Sequence, residues 1–213
     1  ALPNIEAFAE LLKNEPLLAG VNVTIPYKVA VLPFVDHLSP EAAAIGAVNC
    51  IRIERLADKA PVLTGYNTDV FGFLESLKPL LRPRQRRALV LGSGGAAKAV
   101  MYALGLLGVD YTVVSRNASP GQLSYEQVDA PVLADHRVII NTTPLGTYPA
   151  VDSCPPLPYT HLGTQHLLYD LVYNPPETEF LRRGQAQGAA TKNGLEMLEL
   201  QAERNWEIWT NGS

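Results

Sequence analysis

Cysteine is nearly absent. Cys50 and Cys154 are the only two in 213 residues, and their spacing matches no metal-ligand pattern. So few argue against a disulfide-stapled fold, and two reduced thiols of a cytoplasmic protein are the expectation. The chain also lacks an apolar run long enough to cross a bilayer, and no stretch reads as a signal peptide. Membrane insertion is therefore not expected. Blocks of Lys and Arg of the kind that grip a phosphate backbone are missing too. The formal net charge is -4, so nucleic acid is not an expected partner. The densest basic stretch, Arg82-Pro83-Arg84-Gln85-Arg86-Arg87, is short and precedes an apolar segment, which reads as a solvated linker or strand edge. What remains is a chain with 47% hydrophobic residues, enough for one large or two small domains with real cores. Its first residues, Ala1-Leu2-Pro3, include no Met, which predicts processing, truncation or a start that lies outside this sequence.

The two halves differ in pattern. In the first, Asn4 can cap a helix carrying Ile5, Phe8, Leu11 and Leu12 at helical spacing. Ala19 to Val23 reads as a buried strand that runs into Pro26, where regular pairing stops. Ser39-Pro40-Glu41 is a helix start with cap, N1 proline and first-turn acid. Asn49 to Arg52 and Pro61 to Leu63 read as a short hairpin. Thr68 caps a helix whose apolar stripe is Val70, Phe73, Leu74 and Leu77. The second half opens on Ala88-Leu89-Val90-Leu91, a continuous apolar run typical of a parallel strand covered on both faces. Strands at Tyr111 to Val114, Val138 to Ile140 and Leu167 to Tyr169 then alternate with helices, one opened by the Ser124/Gln127 capping box and one by Thr178. This alternation predicts a doubly wound α/β domain. A long amphipathic helix, Leu195 to Trp209, closes the chain, with Trp206 and Trp209 expected to pack.

Gly92-Ser93-Gly94-Gly95-Ala96 lies between the apolar strand and a helix. Glycines there permit a tight turn and let backbone N–H groups approach a pyrophosphate, which the helix N-terminus also favours. After the next strand, an NAD site would carry an acid for the ribose hydroxyl. This chain has Ser115-Arg116-Asn117, and an Arg guanidinium with a Ser hydroxyl suits the 2′-phosphate of NADP.

Two segments gather polar groups, Asn22-Val23-Thr24-Ile25-Pro26-Tyr27-Lys28 and Gly65-Tyr66-Asn67-Thr68-Asp69. As bare chemistry, Lys28 reads as a surface lysine and Asp69 as a helix-start acid. In order along the chain, however, Asn22 to Lys28, Gly46-Ala47-Val48-Asn49, Asn67-Thr68-Asp69, Gly92 to Ala96 and Asn141-Thr142-Thr143-Pro144-Leu145-Gly146 resemble the blocks of the shikimate dehydrogenase family. Asp170-Leu171-Val172-Tyr173-Asn174-Pro175 with Thr178, and Gly194-Leu195-Glu196-Met197-Leu198 with Gln201, continue the resemblance, which spans nearly the whole chain.

The resemblance implies an oxidoreductase that interconverts 3-dehydroshikimate and shikimate with NADPH and NADP, a step of aromatic amino acid (chorismate) biosynthesis. It implies Lys28 and Asp69 as the catalytic pair. Lys28 would exchange a proton with the substrate's C3 oxygen or act as a fixed positive charge; the residues leave both open. Asn22, Thr24, Asn49, Tyr173 and Gln201 would hydrogen-bond the substrate. Gly92, Ser93, Gly94, Gly95, Ala96, Ser115, Arg116, Thr143, Leu171 and Gly194 would line the cofactor. Direct hydride transfer would need no metal. The implied architecture is two α/β domains with the active site in their cleft: a truncated substrate domain at 1–70, a Rossmann-type NADP domain at 71–192, and a terminal helix, 193–213, returning to the first. Monomer and homodimer both fit. Family members begin with a strand and an S-x-S loop that binds the substrate carboxylate; neither occurs here, which predicts a missing N-terminal segment, an exposed sheet edge and weak or no activity. Pro120 stands where a second basic residue is usual, and Thr147 replaces a usual Met. The rival readings are a quinate or shikimate dehydrogenase preferring NAD, and a non-catalytic nucleotide-binding paralogue or inactive truncated form.

Overall fold

The computed structural model describes residues 2–55 and 60–210. The chain divides into two compact units, one of Ala1–Phe71 with Gln201–Ser213 and one of Gly72–Leu200. Among the described residues no helix is long and apolar enough to cross a membrane.

The first unit contains α1 (Ala7–Asn14), β1 (Gly20–Asn22), α2 (Tyr27–Ala30), β2 (His37–Leu38), α3 (Pro40–Ile45), β3 (Cys50–Glu54) and β4 (Val62–Tyr66). It also holds the first turn of α4 (Asp69–Leu77) and the second half of α8 (Leu195–Thr210). Its sheet has the order β1-β3-β4-β2, with β2 parallel to β4 and the other pairs antiparallel. The Asn4 side chain accepts from the Ala7 amide at 3.0 Å, so the expected cap stands at the turn that leads into α1. Ser39 caps α3 by accepting from Ala42 N–H at 3.2 Å. Phe8, Val31, Ala42, Val48, Ile51, Ile53 and Leu63 form the core between helices and sheet.

Two expectations need correction here. The segment Ala19 to Val23 is not a buried strand: only Gly20–Asn22 is extended, and it is half-exposed, because β1 pairs on one side only, with β3. The two tryptophans do not both pack. Trp209 lies over Gly20, where a Cβ would come within 2.1 Å of the indole, and it donates Nε1–H to the Ile51 carbonyl at 3.1 Å. Trp206 is 64% exposed, since three residues turn an α-helix about 60° away from the face that Trp209 presents.

The second unit contains β5 (Arg87–Leu91), α5 (Gly95–Leu106), β6 (Asp110–Val114), α6 (Ala130–Asp135), β7 (Val138–Asn141), β8 (Leu167–Asp170), α7 (Glu179–Ala186) and β9 (Ala190–Lys192). All five strands are parallel, in the order β6-β5-β7-β8-β9. The apolar runs of β5, β7 and β8 are fully buried, as strands covered on both faces must be. Tyr169 sits at 0% exposure because its ring packs edge-on against Phe73 and its hydroxyl meets Ser76 Oγ at 2.7 Å. The chain enters the sheet at β5 and then winds to both sides of it. The reversal between β5 and β7 is the topological switch point at which doubly wound sheets bind ligands.

Candidate active site

In the first unit, five elements bring one polar cluster together. The register of β1 on β3 sets Asn22 opposite Cys50, and Val23 N–H donates to Asn49 O at 2.7 Å, so the two asparagines end up as neighbours. The Lys28 carbonyl, in α2, accepts from Val48 N–H at 2.8 Å, which ties the lysine's turn to the corner before β3. Asp69 opens α4 directly after the buried Asn67 and Thr68. The outcome is an ion pair of 2.6 Å between Lys28 Nζ and Asp69 Oδ2, with the two side chains 19% and 12% exposed. Asn49 Nδ2 donates to Asp69 Oδ1 at 2.9 Å and to Thr68 Oγ1 at 3.0 Å, and Thr68 N–H donates back to Asn49 Oδ1 at 2.7 Å. Both carboxylate oxygens are thus engaged, and the carboxylate holds one position while the ammonium keeps donors for another acceptor.

The cluster extends through a residue that sequence reasoning did not single out. Asn205 accepts from Thr68 Oγ1 at 2.5 Å, and its Nδ2 donates to Asn22 Oδ1 at 2.6 Å and to Gln201 Oε1 at 3.2 Å. It is 1% exposed, a buried polar side chain whose groups are satisfied. The available signal was its spacing, four residues after Gln201 and hence on the same helical face. Thr24 stands apart from this network. With Asn22 of that network, it borders a cavity of about 600 Å³ lined also by Leu2, Ile5, Val21 and Tyr27 among others. Tyr173 belongs to the second unit, where it is 47% exposed.

The second unit assembles the nucleotide loop. Gly92 has φ 107°, and a Cβ there would meet Thr142 Oγ1 at 2.8 Å, so only glycine lets the β5 turn lie against the loop after β7. At Gly94 and Gly95 an added Cβ would meet nothing within 4 Å, and Gly94 caps α5 without a side chain. That leaves a helix N-terminus with open backbone donors, the cradle a pyrophosphate requires. Thr142 Oγ1 donates to Leu91 O at 2.7 Å, and Thr143 N–H and Oγ1 both donate to Asn141 Oδ1, at 3.0 and 2.6 Å. Ser115 and the exposed Arg116 follow β6, where Ser115 Oγ accepts from Asn117 N–H at 3.3 Å.

Leu171 and Gly194 meet backbone to backbone: a Cβ on Gly194 would lie 2.1 Å from Leu171 O. Replacing Gly194 with Ala forces these segments apart, and an overpacking loss of about 1–3 kcal/mol is expected, read as a lower midpoint in a thermal melt. Directly before Leu171 stands a hub, Asp170, to which the sequence alone gave no role. The Asp170 carboxylate, 0% exposed, accepts from Asn141 Nδ2 at 2.9 Å, Val172 N–H at 3.0 Å and Thr178 Oγ1 at 2.5 Å. Burial pushes its carboxyl up to about 6, partly opposed by these three donors.

Residues 1–51 match the family model described as the shikimate dehydrogenase substrate binding domain. A curated relative, the shikimate dehydrogenase (NADP(+)) of Carboxydothermus hydrogenoformans, is 41% identical over 91% of this chain and 73% of its own length. Among solved structures, the shikimate 5-dehydrogenase of Thermus thermophilus in complex with NADP(H) and shikimate superposes with a TM-score of 0.82 at 34% identity, covering 98% of this chain and 79% of its own. The quinate dehydrogenase of Corynebacterium glutamicum in complex with NAD gives a TM-score of 0.84 at 29% identity, covering 98% and 78%.

Proposed function

The chain belongs to the shikimate dehydrogenase family, and from that premise we propose that it reversibly reduces 3-dehydroshikimate to shikimate with NADPH. The observation that carries this reading is the 2.6 Å pair of Lys28 and Asp69, with Asn49 holding the second carboxylate oxygen. The dinucleotide, when bound, supplies or takes up the hydride at the substrate's C3 carbon.

The chain's own groups do the rest. Lys28 Nζ hydrogen-bonds the C3 oxygen and either gives it a proton as the carbonyl becomes a hydroxyl, taking one back in reverse, or stabilises it as a fixed positive charge. Asp69 keeps the ammonium in place and accepts from the same hydroxyl. Asn22, Thr24, Asn49, Tyr173 and Gln201 pair with the substrate's other polar groups, so analogues that lack a hydroxyl leave one of these side chains unpaired. Gly92 to Ala96, with Thr143, Leu171 and Gly194, hold the dinucleotide. Ser115 and Arg116 take the 2′-phosphate, which favours NADP over NAD. The two free cysteines suit a reducing cytoplasm.

Steady-state kinetics with shikimate, using NADP and NAD in turn, test both the reaction and the cofactor. Turnover with NADP is expected to be the faster. Arg116→Ala removes a charge-assisted hydrogen bond, and a rise of about 10- to 100-fold in KM for NADP is expected, with KM for NAD little changed. Faster turnover with NAD and quinate would replace this reading by a quinate dehydrogenase. No turnover with either cofactor would replace it by the rival reading, a non-catalytic nucleotide-binding paralogue or inactive truncated form.

A further inference from the structure

Away from the nucleotide loop, the second unit gathers positive charge at the opposite end of its sheet. A cavity of about 310 Å³ is lined by Arg84, Arg86, Arg87, Arg137, Ala134 and Asp135. Four guanidiniums and one carboxylate leave a local charge of +3, on a chain whose net charge is -4. Like charges this close repel, and exposure to solvent only screens that repulsion.

Three of the four arginine side chains are also held in position, and the turn that carries the fourth, Arg84, is anchored. Gln85, 3% exposed, accepts from Arg82 N–H at 2.9 Å and donates Nε2 to Gln165 O at 3.1 Å, so the turn bearing Arg84 and Arg86 is pinned from beneath. Arg86 Nε donates to Pro83 O at 3.2 Å, and Arg137 Nε donates to Ala134 O at 3.4 Å. Arg87 is ion-paired with Asp135, whereas Arg84, Arg86 and Arg137 have no ion pair among the described residues. Their terminal nitrogens form ready forks for phosphate oxygens.

We propose that this cavity is a second anion site, which binds a compact polyphosphate through Arg84, Arg86, Arg87 and Arg137. It is separate from the dinucleotide cradle. Arg87 begins β5 and Gly92 follows its last residue, so the length of the strand, about 16 Å at about 3.3 Å per residue, lies between them. The small volume fits a short phosphate chain better than an extended acidic peptide.

Calorimetric titration of the full chain with inorganic tripolyphosphate at low salt tests the site. The Arg84→Ala/Arg137→Ala variant is expected to lose at least about tenfold in affinity, the factor that about 1.4 kcal/mol represents. Asp135→Asn removes the competing carboxylate, and binding should tighten. Gly94→Asp puts a negative charge at the dinucleotide cradle, where a side chain has room, and should leave the affinity unchanged. A nucleoside triphosphate that binds as tightly would identify nucleotides as the source, and weaker binding would favour inorganic chains. No binding by the unaltered protein, equal affinity for citrate, or loss in Gly94→Asp with retention in the double arginine variant would overturn the proposal.

Discussion

Lys28→Ala is expected to lower kcat for shikimate oxidation by about 10²- to 10⁴-fold, the usual contribution of a positioned acid or base. The change removes the only ion-pair partner that Asp69 has among the described residues. One carboxylate oxygen stays bonded to Asn49 at 2.9 Å, so the cluster keeps its anchor on that side. KM should move less than kcat, because under the proposed function the substrate's other polar groups are read by other side chains. Lys28→Arg then separates the two roles that the residues leave open. An arginine keeps the positive charge but does not release its proton in a protein. If Lys28 transfers a proton, Lys28→Arg should be nearly as slow as Lys28→Ala. If it is a fixed charge, Lys28→Arg should recover a substantial part of kcat. Circular dichroism melts must show both variants folded. Unchanged turnover in folded Lys28→Ala would sink the catalytic assignment.

Where a single local rule acts, the sequence was a good guide. The caps at Asn4, Ser39 and Thr178 appear as hydrogen bonds to the amides of Ala7, Ala42 and Leu181. The Ser124/Gln127 capping box is also formed, although it opens a single 3₁₀ turn. The apolar runs of β5, β7 and β8 are legible because a strand covered on both faces needs no alternation. Elements stabilised by their partners instead were not legible. The strand β2 has two residues, paired with Thr64 and Gly65 of β4, and no local signal marks it. The strand β9, Ala190-Thr191-Lys192, carries neither a run nor a period, and exists because it pairs with β8. α6 begins at Ala130, after Asp129 accepts from Val132 N–H at 3.0 Å, and is too short for a helical period to be read.

The candidate site divides in the same way. Glycine spacing pointed to the turn, where Gly92 takes a φ that other residues avoid and Gly94 and Gly95 leave the backbone open. Lys28 and Asp69, 41 residues apart, carried no chemical meaning until the ordered blocks around them were compared with a family. Asn205 and Asp170 act through contacts made across the fold, to Thr68 and Asn22 in one case and to Asn141 and Thr178 in the other. Neither a period nor a cap reveals such partners.

Asp170 should also give the fold a measurable pH dependence. Its carboxyl is raised from 3.8 to about 6, chiefly by burial, so the folded state holds this proton more tightly than the unfolded chain does. The contribution of Asp170 to stability is therefore greatest below about pH 4, falls as pH rises to about 6, and is level above that. At about 1.4 kcal/mol per pH unit, the fall amounts to about 3 kcal/mol. Asp170→Asn cannot ionise. Its carbonyl oxygen can still accept from Val172 and Asn141, and the Thr178 hydroxyl can turn to accept from the new amide. Urea unfolding of both proteins between pH 4 and pH 7 should show the variant gaining on the parent by about 3 kcal/mol as pH rises; parallel curves would contradict it. Asp170→Ala has the opposite fate. It leaves the donors of Asn141, Val172 and Thr178 unpaired in a fully buried site, and a loss of about 3–5 kcal/mol is expected. The contrast between the two variants separates the polar contacts that the position requires from the cost of burying a charge there. Three donors, from the end of β7, the turn after β8 and the cap of α7, converge on one carboxylate. That convergence sets the loops that carry Thr143 and Leu171, and a side chain without polar atoms at that point, as in Asp170→Ala, holds none of the three.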